Sequence, residues 1–304
     1  LNEFVSDLIN DQSVEIERMN VIAVNLSDDP RSGLSPGLFI ADEAILNLEL
    51  IVSLRKPTGF YNPDDPGARG VADPSHDLDE DRDLTTLEKS RARLSPIMSF
   101  ANTDMAFKDD LLVAGNYHGF NMYEIKKDGI PELISSVVCP GGQGDVSVVG
   151  NLLIMSVEQN RSRIDCGSMG VGRDASPERF RGIRIFDISD KTNPIQVGAV
   201  QTCRGSHTHS VVTGPTIDNK IIVYNSGTAG VRDEEEMEQC IGNIPGDNRT
   251  ALFRIDVIEI PISDPSKAKI VSSPAVFADP ETGALGGLWV GGDHGDDTQD
   301  TNRT

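Results

Sequence analysis

Three times along this chain, four short apolar runs follow one another with turn residues between them. The first set lies at residues 103–107, 110–115, 119–125 and 133–139. The second lies at 145–150, 151–157, 182–188 and 195–201, and the third at 209–212, 220–224, 252–257 and 268–273. A similar turn recurs between the third and fourth runs: Lys127-Asp128-Gly129-Ile130-Pro131, Asp190-Lys191-Thr192-Asn193-Pro194 and Ser263-Asp264-Pro265. Proline presets φ, and Asp and Asn side chains cap their own backbone, so these segments reverse the chain for a physical reason. Asp104 and Asp145, which mark the first runs of two units, are 41 residues apart. That is the length of one propeller blade. His209 follows only after a longer interval, because the second unit carries a long connection (158–181) between its second and third runs; the third unit has a similar insertion at 225–249.

A single four-stranded sheet cannot bury both of its faces, so successive units must stack. The fold class implied is all-β: a β-propeller of four-stranded antiparallel blades. Rings usually need about four to eight blades, so three units read as an incomplete ring, a fragment of a longer propeller. The expected organisation is an N-terminal extension (1–37), a strand of a further blade (38–61) and an acidic linker or insertion rich in Pro and Gly (62–97). Blades then follow over 98–304, at about 102–139, 144–202 and 207–277, with the start of another at 278–304. Within 38–61, residues 48–54 carry the strand-like apolar run.

Composition narrows the partners. The net charge of −21 repels phosphate backbones and argues against nucleic-acid binding. No apolar stretch of about 18 residues is present, so neither a membrane span nor a remaining signal peptide is read. The chain begins at Leu1 rather than Met, as a processed or trimmed chain would. Its four cysteines, Cys139, Cys166, Cys203 and Cys240, contain no C-x-x-C pair. Two disulfides in an exported protein are expected, against the alternative of four buried thiols. Cys139 and Cys203 each precede a first run, and Cys166 and Cys240 lie in the two insertions. Pairing within a unit, Cys139 with Cys166 and Cys203 with Cys240, is the simplest of three connectivities that the sequence leaves open.

The candidate chemistry centres on Ser206-His207-Thr208-His209. Residues i and i+2 of a strand share a face, so His207 and His209 present two imidazoles with the spacing that a sheet uses to chelate a transition metal. Asp145 and Asp104, on the inner strands of preceding blades, are candidate ligands or supports for those ligands, and His294 is a candidate extra ligand. The cofactor would be one transition metal: copper, zinc or iron. The competing reading is that this Asp/His ring hydrogen-bonds neighbouring blades together. The connections into first strands and from second to third strands open on the same face. That face collects Asp104, Asp145, both histidines, all four cysteines and both insertions. His118 reads as a surface or packing residue. No nucleophile elbow, P-loop or dinucleotide fingerprint occurs. A serine hydrolase using Ser206 and His209 would have poor geometry, because both lie on one strand. The acidic run 77–83 alternates like a calcium loop but lacks its glycine and terminal glutamate.

The segment Gly182-Ile183-Arg184-Ile185-Phe186-Asp187-Ile188-Ser189-Asp190, with Asn193-Pro194 after it, resembles the LVIVD-repeat β-propellers, exported bacterial proteins that are largely uncharacterised. The similarity extends to Val138-Cys139-Pro140-Gly141, Asp165-Cys166-Gly167, Thr202-Cys203-Arg204-Gly205-Ser206-His207-Thr208-His209 and Gly291-Gly292-Asp293-His294-Gly295. It implies further blades beyond this terminus and an extracellular, periplasmic or cell-surface location. A more distant similarity is to the selenium-binding/methanethiol oxidase propellers, which hold copper with histidines near the channel; only His207 and His209 correspond, by position alone. Two function classes follow. One is a binding module that uses the insertion-bearing face for a protein or glycan partner. The other is a metal-dependent, copper-like oxidase with a His-x-His site at the channel mouth. The ligand set is thin, so the binding module is the primary reading and enzymatic activity is left open.

Overall fold

A computed structural model describes residues 29–37, 40–54, 57, 60, 102–167, 170–172, 174–216, 218–242 and 249–277. The expected linker at 62–97 and the further blade at 278–304, with His294, lie outside the described residues. The chain divides into two compact units, Leu1–Arg55 and Lys56–Thr304.

In the first unit the Asp29 carboxylate accepts the Arg31 backbone N–H at 2.9 Å and its guanidinium Nε at 2.9 Å, which closes a short turn. A second link joins Ser35 and Asp42 through the Asp42 N–H (3.0 Å) and the Asp42 carboxylate (2.9 Å). Residues 48–54, expected as a strand, pair with no strand among the described residues, and Leu48, Leu50, Ile51 and Leu54 are exposed. An apolar run becomes a strand only where a neighbour takes up its backbone groups.

The described residues of the second unit hold twelve strands. They are β1 (Asn102–Lys108), β2 (Leu111–Asn116), β3 (Gly119–Ile125), β4 (Pro131–Val138), β5 (Gln143–Val149), β6 (Leu152–Val157), β7 (Gly182–Asp187), β8 (Ile195–Gln201), β9 (Thr208–Thr213), β10 (Lys220–Ser226), β11 (Asp256–Pro261) and β12 (Lys269–Ser272). They form three four-stranded sheets in the orders β1-β2-β3-β4, β5-β6-β7-β8 and β9-β10-β11-β12. Every neighbouring pair is antiparallel. No α-helix occurs among the described residues, and a single 3-10 turn covers Pro265–Lys267. One backbone bond repeats in each blade, closing the third strand onto the hairpin before it: Ile125 N–H to Asp110 (2.7 Å), Ile188 to Asn151 (2.9 Å) and Ile262 to Asn219 (3.1 Å). The repeat is therefore structural as well as sequential.

The third strand of the last blade starts later than its apolar run. Leu252 and Phe253 were expected to open it, but β11 begins at Asp256. Phe253 holds a left-handed φ of 54°, which no strand accommodates, and Leu252 is fully buried outside the strand.

Alternation along the strands builds two cores, one at each junction between blades. Leu153, Met155 and Val157 of β6 turn towards the first blade, where they meet Leu111, Val113, Phe120 and Met122. Leu152 and Ile154 turn the other way, with Ile183 and Ile185, onto Ile221, Val223, Ile258 and Ile260 of the third blade. All of β6 is buried, as expected for a strand covered on both faces. The inner strand β5 packs against β1 and β2 on one side and β9 on the other. The three sheets thus fan out as consecutive propeller blades, in an arc that does not close.

Candidate functional site

Ser156 continues the inward row of Leu152 and Ile154, so a hydroxyl stands at the end of an apolar interface. It gathers a buried polar knot between the second and third blades. Its Oγ lies 2.9 Å from His209 Nδ1, 2.7 Å from Ser206 Oγ and 3.3 Å from Asp145 Oδ2. His209 Nδ1 is also 2.9 Å from Asp145 Oδ2, and the His209 backbone N–H donates to the same oxygen at 2.7 Å. A matching contact joins the first and second blades, where the Val146 N–H donates to Asp104 Oδ2 at 3.0 Å. In both cases a carboxylate on one blade's inner strand takes a backbone N–H from the next. Burial pushes the Asp145 carboxyl up, but the hydrogen bonds and charge of His209, with the contact to Asp104, outweigh burial and hold it below the usual carboxylate range.

The knot contains serine, histidine and aspartate without the connectivity of a catalytic relay. Ser156 and Asp145 both meet Nδ1, whereas a triad places the nucleophile and the orienting carboxylate on opposite ring nitrogens of the histidine base. Ser206, weighed above as a nucleophile, contacts Ser156. Register also moves His209 off the place of Asp104. Asp104 pairs with Gly115, whose counterpart by the repeated third-strand bond is Tyr224; Tyr224 pairs with Ser210, and His209 pairs with Asn225. A register shift between Ile222 and Val223 accompanies the displacement.

The paired histidines take separate partners. His207 Nδ1 lies 2.8 Å from Glu158 Oε2 and 3.1 Å from Thr228 Oγ1. Glu158, buried at the base of the second-blade insertion, also accepts the Thr228 N–H (2.6 Å), the Thr228 hydroxyl (3.0 Å) and the Ala229 N–H (3.1 Å) through Oε1. The sequence reading passed over Glu158. Gly205 lets the chain fit here: its φ is +74°, and a Cβ would stand 2.9 Å from Glu158 Cα. Each imidazole thus has its Nδ1 against a carboxylate, the arrangement that commonly supports a metal-ligating histidine. His209 Nε2 is buried and, among the described residues, without a partner. No group of three or more His, Cys, Asp or Glu among the described residues is placed to hold a metal ion, so the two rings by themselves do not complete a site.

Both disulfides follow the within-unit pairing. Cys139–Cys166 has a Cα–Cα distance of 4.4 Å and Cys203–Cys240 one of 5.2 Å. Each fastens a blade's long insertion to the connection leading into that blade, closing loops of 27 and 37 residues' separation. Closing such loops removes entropy from the unfolded chain.

Above the blades, the two insertions lock together through arginines. Arg179 and Arg232 share the buried carboxylate of Glu236, one on each oxygen. Arg179 also donates to the Asn160 (2.9 Å) and Asp174 (3.0 Å) carbonyls, and Arg232 to Gln201 and the Arg179 carbonyl. The Ser176 N–H reaches Glu236 Oε1 at 2.9 Å. Arg184, fully buried on β7, stacks 4.1 Å from the Phe180 ring centroid and donates to the Ile164 carbonyl (3.0 Å), the Arg163 carbonyl and Gln196 (2.9 Å). Burial pushes its pKa down to about 10. His118 is buried, with Nδ1 3.2 Å from Arg161. Sequence inspection missed this canopy because isolated arginines in a loop carry no motif.

Neither a protein-family profile nor a curated protein sequence matches the chain. Among solved structures it is similar to a protein from Lactobacillus plantarum, at 13% identity over 59% of this chain and 57% of that one, with a TM-score of 0.28. It is similar to the WD40 β-propeller domain of Doa1, at 8% identity over 59% and 56% of the two chains, with a TM-score of 0.24. A third likeness is to AztD from Citrobacter koseri, at 11% identity over 57% of each chain, with a TM-score of 0.21. The matches span little more than half of those chains. The propeller description rests on the sheet order and the packing between blades.

Proposed function

We propose that this chain is part of an LVIVD-type exported β-propeller that acts as a binding module, with the insertion-bearing face as its contact surface. The observation that carries this reading is the canopy: two long insertions, each stapled by a disulfide and cross-linked through Glu236, form a rigid loop platform on a β scaffold. Sites of recognition concentrate on loops held in this way. Disulfides belong to an oxidising compartment, which supports a periplasmic, extracellular or cell-surface location. No helix among the described residues is long and apolar enough to cross a membrane. A partner protein or glycan is the expected ligand.

The test is capture of secreted proteins and glycans by the chain carrying Ile164→Glu on the canopy or Lys191→Glu at the opposite end of the blades. Both side chains are exposed. Loss of a captured species with the first substitution alone supports the reading. Equal capture by both variants, or loss with the second alone, overturns it.

A second reading, a metal-dependent oxidase, draws on the unpartnered Nε2 of His209 and the Nδ1–carboxylate pairing of both histidines. His207 and His209 would be ligands, with Glu158 and Asp145 orienting them, and a redox metal would supply the electron transfer. Elemental analysis of the chain beside a His207→Ala/His209→Ala variant decides it. Near-stoichiometric copper or iron that disappears from a folded variant supports the oxidase, whereas zinc, which has no redox chemistry, supports a metal site alone. No metal in either protein sinks it.

A further inference from the structure

Arg181 is a buried cation whose charge is not balanced by a carboxylate of its own among the described residues. It stands at the end of the second-blade insertion, where β7 begins, and is only 3% exposed. Among the described residues it finds one acceptor, the Gly230 carbonyl at 3.0 Å, and its Nε–H has none. Its charged neighbours are Arg179, Arg232, Glu236 and Glu158. The two carboxylates are engaged elsewhere: Glu236 by Arg179, Arg232 and the Ser176 N–H, Glu158 by Thr228, Ala229 and His207. Three guanidiniums therefore meet two carboxylates, and the unmatched positive charge is that of Arg181. In a chain of net charge −21, carboxylates are abundant, yet none among the described residues makes an ion pair with it.

Leaving a guanidinium buried without a counter-charge is strongly unfavourable, and arginine does not shed its proton near neutral pH to escape the cost. Burial and the like charges of Arg232 and Arg179 push its pKa down to about 10, still well above neutral. Its one acceptor belongs to an exposed residue: Gly230 faces solvent, and no heavy atom lies within 4 Å of where a Cβ on it would stand. We infer that Arg181 and the neighbouring loop around Gly230 bind a small inorganic anion of the chloride class, which neutralises the canopy's inner face and ties the two insertions together. The ion arrives from the open side of Gly230 and takes the Arg181 donors that no protein oxygen reaches. This inference does not depend on whether the outer face binds a partner.

Thermal unfolding would be followed in gluconate, then with chloride titrated in at constant ionic strength, for the wild type and Arg181→Met. The wild type should show a saturable rise in Tm, and the shift should be lost in a folded Arg181→Met. The same chloride response in both proteins would overturn the inference. Should Arg181→Met fail to fold, bromide soaked into wild-type crystals decides the matter. An anomalous bromide peak within hydrogen-bond distance of the Arg181 guanidinium supports the site, and bromide at other positions only overturns it.

Discussion

Asp145 and Asp104 are alike in sequence position but unequal in what they hold. Asp104 accepts the single backbone N–H of Val146, while Asp145 takes the His209 N–H and also faces the His209 ring and the Ser156 hydroxyl. Removing a carboxylate strands every donor that it satisfied. Asp145→Ala should therefore lower stability by about 3 kcal/mol, and Asp104→Ala by about 1 kcal/mol. Urea unfolding of both variants measures the difference, and equal losses would show that the His209 knot contributes nothing beyond one backbone bond. That these aspartates face the junctions between blades was legible from the repeat alone. Glu158 and Ser156 were not, because nothing in a lone Glu or a Ser within an apolar run marks it as a hub until the next blade is stacked against it.

Among the structural elements, the second-blade insertion shows how an irregular segment is held. Arg163 pairs with Asp165 (2.9 Å) and Glu178 (2.6 Å), and an isolated bridge joins Arg163 to Arg179. The Arg163 hydrogen bond holds the Asp165 carboxyl far below its ordinary value of 3.8. A depressed carboxyl stabilises the fold above its unfolded pKa, and this contribution is lost as pH falls through the folded value. The stability difference between the wild type and Arg163→Met should thus be constant near neutral pH and shrink once pH drops below about 4. Unfolding curves collected from pH 7 to pH 2 check this, and a gap that persists at the acid end would assign Arg163 a packing role instead. The Cys139–Cys166 and Cys203–Cys240 links act at the same scale. Their positions in equivalent connections made within-unit pairing the simplest option, though spacing alone left three connectivities open.

Across the whole molecule, each end of the arc presents an apolar face. Met105 and Phe107 point from β1 away from the second blade and are 58% and 61% exposed, while Val212, Tyr224 and Val271 do the same on the third blade. Exposed apolar surface of this kind favours association. Sedimentation velocity should show concentration-dependent self-association of the chain, shifted towards monomer by Met105→Ser with Phe107→Ser, with little change in the unfolding midpoint. A wild-type chain that remains monomeric at all concentrations would show that other residues cover those faces.

The period of the apolar runs and the turn residues determined the all-β class and the four-stranded unit, because strand alternation and chain reversal are local properties. The same locality misled at the third strand of the last blade, where Leu252 is apolar and fully buried yet lies before the strand begins. Only the tertiary structure decided how His207 and His209 divide between Glu158 and Asp145, and that three arginines of the insertions, Arg179, Arg181 and Arg232, converge around Glu236 and Glu158. Those contacts span tens of residues and arise from the stacking of one blade on the next. Hydrogen bonding and charge compensation depend on distances of a few ångströms, which sequence spacing does not specify.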